Sequence, residues 1–424
     1  MTAALADRSA KTQGPGFAEF VCLIALMMAL NALAIDAMLP ALPAIGDALG
    51  VVTDNSRQWI ITAYLLGFGA AQIVYGPLAD RYGRKPILII GISIYVIFSL
   101  LAAIAPTFET LILARIGTGI GAAATRVLAV SIVRDRYAGR MMARVMSLSF
   151  LVFLGVPILA PTIGQLILLV APWRWIFGVL ALGGAAILIW SVVRLPETLK
   201  PEDRLPIQAG RIAAAFRQAL TERLSIGYTL ASTAVLGSLF GFINSSQQIF
   251  FDVFQAPGLF TTIFAVVAGG IAIASLLNAR LVERLGSRLI SHTALLGFIA
   301  FGILHTAVSM AGLETIWTFA VLQSLTMFCF GLMAGNFGSM AMERMGHIAG
   351  TASSAQGFIS TVIGALSGFF IGQQFNGSAT PMAMGVAISG IVALGFVLFA
   401  EKGRLFRAHQ AEGPAAQAAM PKQS

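Results

Sequence analysis

Twelve stretches of this sequence are each long and apolar enough to cross a lipid bilayer, and no other feature limits the fold as tightly. A membrane-crossing helix needs about 20 consecutive apolar residues. Such runs fall at 17–40, 57–79, 86–105, 109–133, 145–170, 175–193, 224–250, 259–279, 290–311, 314–341, 348–372 and 381–400. Of the 424 residues, 58% are hydrophobic and 11% charged, where an ordinary soluble domain carries about 25% charge. A water-soluble globular enzyme is excluded, and intrinsic disorder fails because it needs low hydrophobicity and high net charge. The fold class is an all-α membrane protein of twelve transmembrane helices.

An even number of spans puts both termini on one side. Sorting the positive residues by side gives 23 of the 27 Lys and Arg to that side, while Arg57 and Arg174 lie opposite and Arg115 and Arg126 fall within a span. Positive loops stay inside, so both termini are expected in the cytoplasm. The formal charge of +9 is therefore topology, and nucleic acid is not an expected partner. The polar residues before 17 lead into the first span with no small-residue cleavage site close behind it, so that span reads as retained. Cys22 and Cys329 each lie in an apolar run, without metal or redox spacing.

The chain repeats itself. Leu78, Asp80, Arg81, Gly83, Lys85 and Ile87 correspond, at an offset of 203 residues, to Leu281, Glu283, Arg284, Gly286, Arg288 and Ile290. The loop after span two recurs after span eight, as duplication of a six-helix unit would leave it. The organisation expected is a tail at 1–16, a six-helix half at 17–193, a central loop at 194–223, a second half at 224–400 and a tail at 401–424.

The first of the two loops reads Gly76-Pro77-Leu78-Ala79-Asp80-Arg81-Tyr82-Gly83-Arg84-Lys85-Pro86. Gly76 allows close helix approach, Gly83 a tight turn, and Pro86 suits a helix start. Asp80 can face the positive end of another helix, and Arg84 can pair with an acid such as Asp135. This run resembles the signature loop of the major facilitator superfamily. Ile35-Asp36-Ala37-Met38-Leu39-Pro40-Ala41-Leu42-Pro43, Val156-Pro157-Ile158-Leu159-Ala160-Pro161-Thr162-Ile163-Gly164 and Gly346-His347-Ile348-Ala349-Gly350-Thr351-Ala352-Ser353-Ser354 resemble parts of its drug:proton antiporters of the bicyclomycin/chloramphenicol-resistance type. Ala160, Gln165, Thr118 and the amidic run Asn244–Gln248 depart from the usual pattern and bear on substrate more than on class. The resemblance implies a bacterial inner-membrane protein in which the first loop latches the two halves on the cytoplasmic side. Gly76, Asp80, Arg81, Gly83, Arg84, Asp135, Pro157, Pro161 and Gly164 are the conformational-gate candidates.

An ionisable group at mid-bilayer costs roughly 2.5–3.5 kcal/mol on insertion scales, so each one needs a reason. Asp36 lies about 6 Å, and Arg115 about 9 Å, from the outer end of its span. At similar depth on helices the resemblance places side by side, they are expected to pair, with Asp36 binding and releasing the coupling proton and Arg115 keeping it ionised until substrate or rearrangement disturbs the pair. The competing reading makes Asp36 an interfacial cap near Pro40 that never changes protonation. Arg126 is 11 residues from Arg115, about three turns, and so shares its face; it either contacts substrate or snorkels to the cytoplasmic end.

Asn31, Tyr64, Gln72, Thr118, Asn244, Gln247, Gln248, Asn336 and Gln356 join Arg126 as candidates for the substrate cavity. Their alternative is interhelical hydrogen bonding. No metal-ligand cluster, phosphate loop or catalytic triad is recognisable, and the four histidines sit singly. No enzyme activity, metal or cofactor is expected, and an ion gradient is left as the energy source. The expectation is a monomeric exporter of small apolar or weakly charged compounds in exchange for protons. The alternatives are a proton-coupled importer of a sugar or organic acid, and a membrane receptor or enzyme.

Overall fold

The computed structural model describes residues 14–207 and 209–406, so most of the two expected tails lies outside the described residues. Among the described residues, twelve helices are long and apolar enough to cross a membrane. They are α1 (Phe17–Asp36), α2 (Trp59–Tyr82), α3 (Arg84–Ala103), α4 (Phe108–Arg136), α5 (Gly139–Val170), α6 (Arg174–Arg194), α7 (Arg223–Gln248), α8 (Phe260–Leu285), α9 (Ser287–Met310), α10 (Ile316–Met342), α11 (Ala349–Gln373) and α12 (Thr380–Ala400). The fold is the all-helical one that the apolar runs predict.

The internal repeat is visible in how the helices start, stop and pack. Gly83 and Gly286, at the repeat offset, both turn the chain with positive φ, 105° and 79°, a conformation open to glycine at little cost. Thr107 and Thr315 cap α4 and α10 with the same reciprocal bonds to a threonine three residues on, which satisfies otherwise orphaned backbone donors. Within the first six helices α1 packs on α5, α2 on α4, and α3 on α4 and α6; α7 on α11, α8 on α10, and α9 on α10 and α12 repeat those contacts. The halves meet along α2 with α11 and α5 with α8, two contacts that the repeat exchanges.

Glycine sets the closest approaches. A Cβ at Gly119 would strike the Tyr64 carbonyl of α2, and one at Gly121 the Tyr95 backbone of α3. A Cβ at Gly164 would strike the Ala37 carbonyl beyond α1. Small residues at such crossings let helices pack by contact where lipid supplies no hydrophobic drive.

Three boundaries depart from expectation. The first span does not run helical to residue 40: α1 stops at Asp36, and a 3₁₀ turn (Leu39–Ala41) leads into a short helix, Leu42–Ala48. Pro40 and Pro43 open those pieces, each lacking the N–H a continuous helix would need. α5 begins at Gly139 and α8 runs on to Leu285, because charged turns at their ends leave the apolar region without leaving the helix. Between the halves, an amphipathic helix, Ala209–Thr221, rests on α7 and α11. Its Ala219 is buried, with Phe216 packed beside it.

Candidate functional site: the cavity between the halves

A cavity of about 730 Å³ lies between the halves, walled by α2 and α4 on one side and α7 and α11 on the other. Asp80, Arg84 and Arg134 line it, which places it toward the end of the molecule rich in positive residues. Leu205, Pro206, Ile207 and Phe216 of the central connection border the same space, and Leu205 N–H donates to the Asp80 carbonyl at 3.0 Å.

At the opposite end the halves are tied together by amides. Gln58 Nε2 donates to Gln248 Oε1 (2.7 Å) and to the Gly372 carbonyl (3.0 Å). Gln373 Nε2 donates to Gln58 Oε1 (3.1 Å) and to the Asn55 carbonyl (2.7 Å). Asn55 Nδ2 reaches the Gln373 and Phe375 carbonyls, and Gln248 Nε2 reaches Asn55 Oδ1. Trp59 packs against Phe369 across the same seam, ring centroids 4.3 Å apart and the planes tilted by 46°. The structure is therefore closed at this end and open at the basic one.

Of the residues expected in the cavity, Gln72, Arg126 and Gln356 line it. Gln72 also crosses the seam, donating to Thr361 of α11 at 3.1 Å. Most of the others find partners elsewhere, and for Asn31, Tyr64, Asn336 and Gln248 these are interhelical. Tyr64 donates to Asn31 Oδ1 at 2.6 Å within the first half. Asn336 pairs with Asn278 of α8, Thr118 bonds back to the Ala114 carbonyl, and Gln248 belongs to the amide seam. Asn244 and Gln247 are buried near that seam, Asn244 with both amide atoms unpartnered.

Asp36 and Arg115 are both buried, but they form no ion pair within 4 Å, contrary to expectation. Arg115 donates instead to the Ala34 carbonyl (2.9 Å) and the Ile60 carbonyl (3.1 Å), and its guanidinium lies 4.5 Å from the Tyr64 ring centre. Because α1 ends at Asp36, Ala34 is among its last four carbonyls, which have no intrahelical donor. Asp36 Oδ1 and Arg115 Nη1 are left without partners, as is the nearby Tyr95 hydroxyl.

The signature loop is held by the first half and the central connection, with no bond to the second half among the described residues. Arg84 bonds Asp80 at 2.6 Å and Asp135 at 3.0 Å, and Glu197 accepts from the Arg84 and Lys85 N–H groups that start α3. Gly76 borders the cavity next to Ser354, while Arg81 is exposed beside Tyr82. Pro157 and Pro161 lie inside a continuous α5. Asp80 stands on one wall of the cavity and Ala349 and Gly350, the start of α11, on another, so no latch between halves is formed in this state.

Sequence reasoning missed Asn55, Gln58 and Gln373, which carry no charge or periodic signal. It also left His305 alone, whereas His305 meets Glu314 at 2.6 Å, both largely buried.

A two-fold repeated bundle of twelve spanning helices around a central cavity closed at one end defines a membrane transporter. A family model, Major Facilitator Superfamily, matches residues 24–369, and the chain belongs to that superfamily. It is 30% identical over 400 residues to the multidrug resistance protein MdtL of Escherichia coli O157:H7, covering 92% of this chain and 97% of the relative. It is 28% identical over 368 residues to a bicyclomycin resistance protein homolog of Haemophilus influenzae, covering 86% and 91%. A crystal structure of a D-xylose–proton symporter superposes with a TM-score of 0.68 at 14% identity, covering 92% of this chain and 98% of that one.

Proposed function

We propose that this protein is a bacterial inner-membrane exporter that moves small, largely apolar compounds out of the cell in exchange for protons. The names of the resistance relatives support export. The distribution of positive residues supports cytoplasmic termini, so the state seen here is open to the cytoplasm. A monomer suffices for alternating access between two repeated halves.

The observation that carries the proton step is Asp36. It is buried, one oxygen has no hydrogen-bond partner, and the nearby Arg115 is engaged by carbonyls. An ionisable side chain so placed marks a proton or ion path by default. Taking up a proton would neutralise it; when the amide seam opens the outer end, Arg115, which reaches the Ala34 carbonyl two residues away, could take the place of that proton. In the opposite state Asp80 engages the start of α11, closing the basic end, with Gly164 and the two prolines of α5 letting α1 and α5 move as one.

Proteoliposomes holding the purified chain test this reading. An imposed pH gradient should drive substrate against its concentration gradient in the direction opposite to proton flow. Asp36→Asn should abolish that uphill movement while leaving downhill exchange measurable. Cells expressing the wild type should resist a panel of antibacterial compounds, and cells expressing Asp36→Asn should not. Uphill transport unchanged in Asp36→Asn would remove Asp36 from the mechanism, and movement of substrate along with protons would make the protein an importer.

A further inference from the structure

We propose that the cavity selects organic acids: compounds with an anionic group on a flat apolar body, bound through Arg126. This rests on the transport reading and names the substrate class of the same cavity.

Arg126 and Arg115 lie on one helix, but their surroundings differ. Arg115 is buried and spends its donors on two carbonyls. Arg126 lines the cavity, and among the described residues no hydrogen bond or ion pair reaches it. Its one aromatic neighbour, Phe153 of α5, has its ring centre 5.8 Å from the guanidinium carbon. Arg126 stands ten residues before the end of α4 at Arg136, about 15 Å along the axis. A snorkelling arginine would lead its charge to the water at that end; this one stays at the cavity wall.

The rest of the wall does not balance that charge. Arg84 is matched by Asp80 and Asp135. Asp80 is the only carboxylate among the lining residues, and it is already bonded to Arg84. Arg134, nearer the mouth, adds a second cation with no partner among the described residues. An ammonium compound would meet net repulsion here and find no free carboxylate. A carboxylate or sulfonate would meet a guanidinium whose planar donors suit it. Ile73, Val127 and Val130 supply apolar surface next to Arg126, and Ser232 and Gln356 supply polar groups opposite.

Binding to the detergent-purified full chain, followed by fluorescence anisotropy, tests this without any gradient. Two dyes on one ring system serve as probes: carboxyfluorescein, an anion, and tetramethylrhodamine methyl ester, a cation. The wild type should bind the anion roughly tenfold or more tightly than the cation. Arg126→Gln should cost the anion roughly tenfold or more and leave the cation unchanged or improved, while Arg126→Lys retains most of the anion affinity because the charge remains. Undetectable anion binding, equal affinity for the two dyes, or an equal loss of both in Arg126→Gln would overturn the proposal. Selective anion binding without proton-driven flux would sink the export reading alone, whereas proton-driven flux of the cation with no anion preference would sink only this one.

Discussion

The two ends of the seam between the halves are built from different chemistry. At the end away from the positive loops the halves are joined by Asn55, Gln58, Gln248 and Gln373, all neutral, whose bonds run between the first half and the second. At the basic end the strong polar groups stay inside their own half. Arg84 holds Asp80 and Asp135, and in the second half Arg288 holds Glu343 at 2.8 Å and Glu401 at 2.7 Å. A neutral hydrogen bond contributes a net of about 0.5–1.5 kcal/mol, whereas removing one partner of a buried ion pair costs about 3–5 kcal/mol. The contacts that must break during alternation are the weak ones, and the strong ones brace bodies that move whole.

That contrast fails if the ionic network does not brace its half. Glu401 is 1% exposed at its side chain and also accepts from the Tyr228 hydroxyl at 2.7 Å, while Tyr228 contacts His292, whose other ring nitrogen accepts from Phe406 N–H. Arg288→Leu should therefore destabilise the protein by about 3–5 kcal/mol, since it takes the cation away from a buried carboxylate. A clearly lower midpoint of thermal unfolding checks this. An unchanged midpoint would mean that the network is incidental.

The neutral seam should respond differently. Gln58 takes part in three of its bonds, so Gln58→Ala should weaken closure by about 1.5–4.5 kcal/mol. Global unfolding should change little, because the helix packing within each half is untouched. Roughly tenfold to thousandfold more of the population should instead open at that end. Distances between spin labels placed on either side of Trp59 and Phe369 would report it, and a distribution identical to wild type would show that the amides do not hold the closed state.

Much of the scaffold is legible in the sequence because it follows from local chemistry. Apolar runs set the spans, Gly83 and Gly286 set matched turns, and Arg84 has an acid within reach in Asp135. The amide seam is not legible. Asn55 precedes an apolar run, Gln58 stands at its start, Gln373 follows the end of another, and their partners lie 190 to 320 residues away, where no periodicity extends. The two arginines of α4 show a subtler limit. Helical spacing puts them on one face, but the halves separate toward the basic end, so that face passes from the interior of one half at Arg115 to the cavity at Arg126. The expected Asp36–Arg115 pair failed for a reason equally local to the fold: α1 ends early, and its free carbonyl at Ala34 takes the guanidinium.

The smallest stability effect is the most informative about the basic end. Asp80 sits four residues before Arg84, with its own side chain 41% exposed against 5% for Arg84; the buried part of that arginine's pairing rests on Asp135, and a carboxylate so open to water at that helical spacing contributes about 0.3–0.5 kcal/mol. Arg84 keeps Asp135 when Asp80 is neutralised. Asp80→Asn should therefore leave thermal unfolding within error of wild type. If Asp80 serves only its own half, gradient-driven transport should be equally unaffected. If it engages the start of α11 once the cavity closes, transport should fall sharply at unchanged stability. The labelled protein should then lose the population closed at the basic end, because a neutral amide interacts less with the positive end of a helix than a carboxylate does. Loss of both stability and transport would instead place Asp80 in the bracing network, and the division between weak moving contacts and strong fixed ones would no longer hold at this loop.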